Sequence, residues 1–177
     1  MLKNTYFILG FFGVGKTSVL RILKEDFGYP TIDSDELIEL ESGKNVRRVF
    51  IDNGISGLRS IESRVLKRLL KVKGYIISVA ANSGLSEELL NNIKKNGKII
   101  YLKTDLRNAI SRNTKRKPVI FSTIKNEKEL VSKIKEEYIA RNEILNKYSD
   151  ITIYTGNKSR FEIAKIIDDY IRNMEKN

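Results

Sequence analysis

Apolar residues in this chain follow two alternating rhythms. Compact runs rich in β-branched and aromatic residues occur at 5–9, 31–33, 75–79, 98–102 and 150–154, the pattern of short strands buried on both faces. Between them, apolar residues recur three and four apart. Val19, Leu20, Ile22, Leu23 and Phe27 mark a helix over 17–27 that Gly28-Tyr29-Pro30 ends,. Further helices are predicted over 35–41, 46–53, 57–71, 106–112, 127–146 and 160–174. Another opens at Ser86-Glu87-Glu88, whose acids suit the positive end of a helix dipole,. Strands alternating with helices predict a three-layer α/β fold: a central five-stranded parallel sheet, helices on both faces, and ligands at the carboxyl ends of the strands.

At 177 residues, with 41% hydrophobic and 31% charged residues and only 2 prolines, the chain reads as one globular domain over 1–177,. It contains no cysteine and no histidine. Disulfides, thiolate chemistry, imidazole acid–base catalysis and the usual transition-metal ligands are therefore excluded. Carboxylates, amines, guanidiniums and hydroxyls must do the chemistry. The net charge of +11 raises the question of nucleic acid,. The basic residues, however, are interleaved with acids, as where Lys125, Lys128, Lys133 and Lys135 alternate with Glu127, Glu129, Glu136 and Glu137,. The one dense basic run is Lys115-Arg116-Lys117. No nucleic-acid partner is expected. No apolar run approaches the roughly 20 residues that span a bilayer, so a cytoplasmic protein without a membrane partner is expected. The lack of a long apolar surface helix predicts a monomer.

One segment carries chemistry by itself. Gly10-Phe11-Phe12-Gly13-Val14-Gly15-Lys16-Thr17 satisfies G-x-x-x-x-G-K-[ST] with a strand before it and a helix after it,. Glycines let the backbone curl so that N–H groups and the helix terminus point at anionic oxygen. Gly13, Val14, Gly15, Lys16, Thr17 and Ser18 are the candidates for holding ATP. Lys16 would bridge the β- and γ-phosphates and Thr17 would ligate Mg²⁺. A small-molecule kinase and a regulatory NTPase both use such a loop, but the chain lacks the N-K-x-D guanine signature.

Asp33-Ser34-Asp35 ends the second strand. Asp33 could serve Mg²⁺ or accept the proton of an attacking hydroxyl, and Asp35 could bind substrate hydroxyls. Alternatively, Asp33 or Ser34 only caps the following helix. From the phosphate loop through Ile32-Asp33-Ser34-Asp35-Glu36-Leu37-Ile38-Glu39 to Gly57-Leu58-Arg59-Ser60-Ile61-Glu62, the chain resembles the shikimate kinase family. The likeness continues through Ser86-Glu87-Glu88, Gly97-Lys98-Ile99-Ile100-Tyr101-Leu102, Lys117-Pro118, Arg141 and Asp150. The resemblance implies transfer of the ATP γ-phosphoryl group to a hydroxyl of shikimate. It places Asp33 at the metal and catalytic centre, Asp35 on the shikimate hydroxyls, Arg59 and Arg141 on its carboxylate, and Glu62 behind Arg59. The substrate-binding segment would span about 33–62. Arginine's planar fork suits that last task, because it meets a carboxylate bidentately and stays charged when desolvated.

The chain also departs from that pattern. The family's three glycines after the third strand are matched here by Ala80-Ala81-Asn82, so the acceptor contact falls to Asn82. The lid, expected over 112–123, carries Lys117 before Pro118 where the family has arginine. Lys117 then neutralises phosphate charge without bidentate geometry. The resemblance further implies that Arg112 contacts the adenine face and that Asn157, Lys158 and Ser159 complete that pocket. Two rivals remain: a kinase for another small hydroxylated carboxylate, and a nucleotide-binding relative with weak or lost transfer.

Overall fold

The computed structural model of the protein describes residues 2–80 and 84–176. Among these residues the chain runs β1 (Tyr6–Gly10), α1 (Lys16–Glu25), β2 (Thr31–Asp33), α2 (Ser34–Ser42) and α3 (Val46–Leu69). It continues through β3 (Ile76–Ser78), α4 (Glu87–Asn96), β4 (Lys98–Lys103), α5 (Leu106–Lys115) and a 3₁₀ turn (Val119–Phe121). It closes with α6 (Glu127–Tyr148), β5 (Ile151–Tyr154) and α7 (Arg160–Lys176). The strands form one sheet in the order β2-β3-β1-β4-β5, and every pairing is parallel.

The two-residue period of each strand builds two cores. Phe7, Leu9, Ile77, Val79, Ile99 and Tyr101 face α2, α3, α4 and α6 through Ile38, Val49, Leu58, Leu69, Leu90 and Leu145. Tyr6, Ile8, Ile76, Ile100, Leu102 and Ile153 face α1 and α7 through Val19, Leu20, Leu23, Ile163 and Ile167. Phe11, Ala109, Phe121, Leu130 and Ile134 make a third cluster, which joins the phosphate loop to α5, the 3₁₀ turn and α6.

Local signals explain most boundaries. Asn45, Ser86 and Asn126 cap α3, α4 and α6 by accepting from the backbone N–H of Arg48, Leu89 and Glu129,. The two helices predicted over 46–53 and 57–71 are both present within α3, separated by a kink at Gly54, whose φ of 66° and ψ of −171° leave the helical region,. Helix α1 stops at Glu25, so Phe27 lies beyond its end, where its ring meets Phe161 of α7 at 5.8 Å. β1 lies between β3 and β4, the point from which successive crossovers diverge, and the phosphate loop leaves its carboxyl end there,.

Candidate active site

The phosphate loop is shaped by what surrounds it. A methyl group on Gly10 would stand 2.6 Å from the carbonyl oxygen of Leu102 in β4 and 2.9 Å from Val14 Cγ1, so only glycine lets β1 end this close to its neighbour. Gly13 and Gly15 hold φ at 68° and 105°, the left-handed region that other residues enter at a cost. Val14, fully buried, anchors the turn, and its N–H donates to the Phe11 carbonyl at 3.3 Å. Buried Asn113 of α5 pins the loop from outside, its Nδ2 donating to the carbonyls of Phe12 at 3.1 Å and Ala109 at 2.7 Å. Helix α1 then begins with neither a side-chain cap nor an acid in its first turn. Its leading N–H groups, those of Lys16, Thr17 and Ser18 included, have no intrahelical acceptor and are a ready seat for phosphate.

Lys16 folds back over this loop, with Nζ 3.3 Å from the Gly10 carbonyl and 3.5 Å from that of Phe11. Burial pushes its ammonium down to about 8. Asp35 and Asp33 pull it upward, and Arg141 pushes it further down. A cation held at such a cost gains from an anionic phosphate.

Thr17 and Asp33 meet at 2.8 Å, hydroxyl to Oδ2, while Asp33 Oδ1 accepts from the backbone N–H of Asp35 at 3.0 Å. One carboxylate therefore caps α2 through one oxygen and reaches the phosphate loop through the other. Two hard oxygen ligands at the mouth of a phosphate cradle fit Mg²⁺, which keeps several waters and takes few protein ligands. Among the described residues no group of three or more His, Cys, Asp or Glu side chains could hold a metal by itself. Asp35 stands beside this pair. Burial and then the Asp33 charge push its carboxyl up to about 6, against the pull of Lys16.

Arg141 of α6, which the resemblance assigns to the acceptor, is only 3% exposed. Its Nε is paired with Glu137 one turn earlier, and its guanidinium lies over the ring of Phe12 at 4.3 Å,. Burial holds it below the usual arginine range, opposed by Glu137 and Glu62. Because Phe12 belongs to the phosphate loop, this arginine packs directly on the nucleotide half of the site. Arg59 and buried Glu62, with Ala80, Gly84 and Leu85, line a cavity of about 520 Å³. Arg141 and Glu137 line a neighbouring one of about 460 Å³, which shares Gly84 and Leu85. The two arginines thus approach one wall from adjoining cavities. The Glu62 carboxylate acts on Arg141 and Asp35 as well as standing near Arg59. Asn82 and Ala81 lie outside the described residues. The backbone N–H of Ala80 donates to Ser34 Oγ at 2.6 Å, tying the end of β3 to the start of α2.

The segment 112–123 folds down on the loop. Phe121 is 7% exposed and meets Phe12 edge-to-face at 6.1 Å. Lys117 Nζ donates to the Ile124 carbonyl at 2.6 Å, so contact with a phosphate requires it to leave that carbonyl. Arg112 stands across from Gly13, with Cβ 3.8 Å from where a methyl on that glycine would be. Asn113, Glu137 and Arg160 escaped sequence reasoning. None belongs to a motif, and each gains its place from a contact made by the tertiary fold.

A family model described as shikimate kinase matches residues 12–174. The chain belongs to the shikimate kinase family. Shikimate kinase of Persephonella marina is 32% identical over 173 residues, spanning 97% of this chain and 100% of that protein. Shikimate kinase of Dehalococcoides mccartyi is 30% identical over 176 residues, 98% of this chain and 96% of the relative. A solved shikimate kinase from Acinetobacter baumannii in complex with shikimate matches the fold with a TM-score of 0.79 at 24% identity, over 98% of this chain and 96% of that one. Membership of the shikimate kinase family makes the protein a small-molecule kinase, a phosphotransferase acting on an alcohol, with the P-loop fold. None of the described helices is long and apolar enough to cross a membrane.

Proposed function

We propose that the protein transfers the γ-phosphoryl group of ATP to a hydroxyl of shikimate, giving ADP and shikimate 3-phosphate. One observation carries the reading. The phosphate loop meets Asp33 through Thr17 at 2.8 Å and buried Arg141 through the ring of Phe12 at 4.3 Å, so the nucleotide side and the acceptor side converge on one loop. Gly13, Val14, Gly15, Lys16, Thr17 and Ser18 bind the phosphates, and Thr17 and Asp33 hold Mg²⁺. The ion, when bound, would supply positive charge that offsets the charge of the phosphates. Lys16 supports the charge that develops on the transferred group. Asp35, whose carboxyl titrates near 6, is ionised at neutral pH and able to accept a hydrogen bond from the acceptor hydroxyl. Arg59, Arg141 and Asn82 hold the acceptor, Arg112 the nucleotide, and Lys117 joins the phosphates when the lid closes. Positioning and charge stabilisation provide most of the catalysis, as phosphoryl transfer requires. The protein acts in this reading as a cytoplasmic monomer with no nucleic-acid or membrane partner.

A coupled ADP-release assay with shikimate tests the proposal directly. Turnover is expected with shikimate, and Arg59→Ala should raise the acceptor KM roughly tenfold or more, the loss of one charge-assisted contact, with ADP affinity unchanged. The pairing of Glu137 with Arg141 and the alanine at position 80 favour a second reading, a different hydroxylated carboxylate as acceptor. A panel of hydroxy acids in the same assay distinguishes the two. Absence of turnover with every acceptor would defeat both.

A further inference from the structure

Arg160, the first residue of α7, lies directly against the phosphate loop. A methyl group on Gly15 would collide with its guanidinium, standing 2.6 Å from Nε and 2.8 Å from Nη1. Gly15 is the N-cap of α1, the point where the loop presents its N–H groups. Beside Arg160 stands Arg112, whose Nη1 is buried without a hydrogen-bond partner among the described residues. The groups that act on Arg160 are its partial burial and the like charge of Arg112, and both push its guanidinium below the usual range. No carboxylate appears among these influences. Arg160 also makes no ion pair with any described acid, whereas Arg172 on the same helix is paired with Asp168.

Two guanidiniums brought together and partly desolvated, neither of them in an ion pair with a described acid and with exposed Asp105 acting on Arg112 through its field, make an unfavourable arrangement in a folded chain. The arrangement becomes favourable once an anion enters between them. Guanidinium is the group best matched to that role, since its planar fork meets phosphate oxygens in pairs. The edge of the loop read above as the phosphate seat is where such an anion arrives.

We propose that Arg160 is a nucleotide-binding residue, forming with Arg112 a guanidinium pair over Gly15 that contacts the phosphate chain of the bound nucleotide. The inference rests on the reading of residues 10–17 as the phosphate site. It adds a cation that lies outside the loop motif, and it assigns α7 a part in the site.

Titration calorimetry with ADP and with inorganic tripolyphosphate tests it on the wild-type protein, Arg160→Gln and Arg160→Lys, with thermal melts to show that each is folded. Arg160→Gln should weaken both ligands roughly tenfold or more, the effect of one lost charge-assisted hydrogen bond. Arg160→Lys should fall between Gln and the wild type, and the acceptor KM should not move. Unchanged or tighter binding of ADP by Arg160→Gln would overturn the proposal, the tighter case meaning that the guanidinium obstructs the nucleotide. Weakened ADP with unchanged tripolyphosphate would also overturn it, by moving the contact to the nucleoside. If the wild-type protein binds neither ligand, the reading of the loop itself falls.

Discussion

Arg141 shows how a single side chain is made ready for an anion. It is buried, stacked on Phe12 and paired with Glu137, while Glu62 adds a second negative field. A buried guanidinium without carboxylates would be costly, so the free protein supplies its own counter-charge. In the proposed reading an acceptor carboxylate then competes with Glu137 for this guanidinium. Glu137→Gln is therefore expected to destabilise the free protein by roughly 1.5–3 kcal/mol, the worth of a hydrogen bond to a charged group, read as a lower melting temperature. It should at the same time lower the acceptor KM, since Arg141 no longer has to exchange one carboxylate for another. A raised KM would mean that Glu137 orients Arg141 for the acceptor and does not compete with it. Asp33 shows the complementary economy of a small site: its two oxygens serve the cap of α2 and Thr17 at once, so neither role could be separated by reading the residue alone.

Among the elements, the β1–loop–α1 unit is the most tightly constrained. β1 is wholly buried between β3 and β4, and the loop must leave the sheet beneath Leu102 before it can curl. Gly10→Ala places a methyl 2.6 Å from the Leu102 carbonyl and 2.9 Å from Val14. Neither a strand carbonyl nor a fully buried valine can easily retreat. The expected cost is roughly 1–3 kcal/mol of overpacking, read as a fall of several degrees in melting temperature, with weaker ADP binding because the loop is displaced. An unchanged melt would show that β4 yields. Helix α3 makes a gentler case. The sequence already marked a break between residues 53 and 57, and the structure locates it at Gly54, where one helix ends and the next begins across a kink. The resemblance set the expectation of a lid over 112–123, where α5 gives way to a basic run before Pro118. Its present partners, Ile124 for Lys117 and Phe12 for Phe121, were not legible.

For the whole molecule, the site is a place where stability is given up for function. Asp35 titrates near 6 in the folded chain against 3.8 for an ordinary aspartate, because burial and Asp33 disfavour its charge, with smaller contributions from Glu62 and Glu39 and with Lys16 opposing. Its folded pKa is raised, so the stability tied to its proton is fully present below about pH 4 and is lost as the pH rises through 6,. Asp35→Asn removes that loss. Its melting temperature should therefore gain on the wild type between pH 4 and 7, by several degrees, and the difference should level off above that range. A difference that stays constant across this range would show that Asp35 titrates normally. Much of this architecture was determined by the sequence alone: the five strands, the helices between them, the phosphate loop and most of the helix caps. Those features depend on residues close together in the chain, through the period of apolar positions, the conformations open to glycine and short side-chain caps. The tertiary structure alone decided which charges are buried and what faces them. Asn113 reaches Phe12 across 101 positions, Arg141 stacks on that same phenylalanine, and Arg160 comes from the last helix to lie on Gly15. Burial and electrostatic fields depend on which distant surfaces meet, and no local pattern in the chain records that.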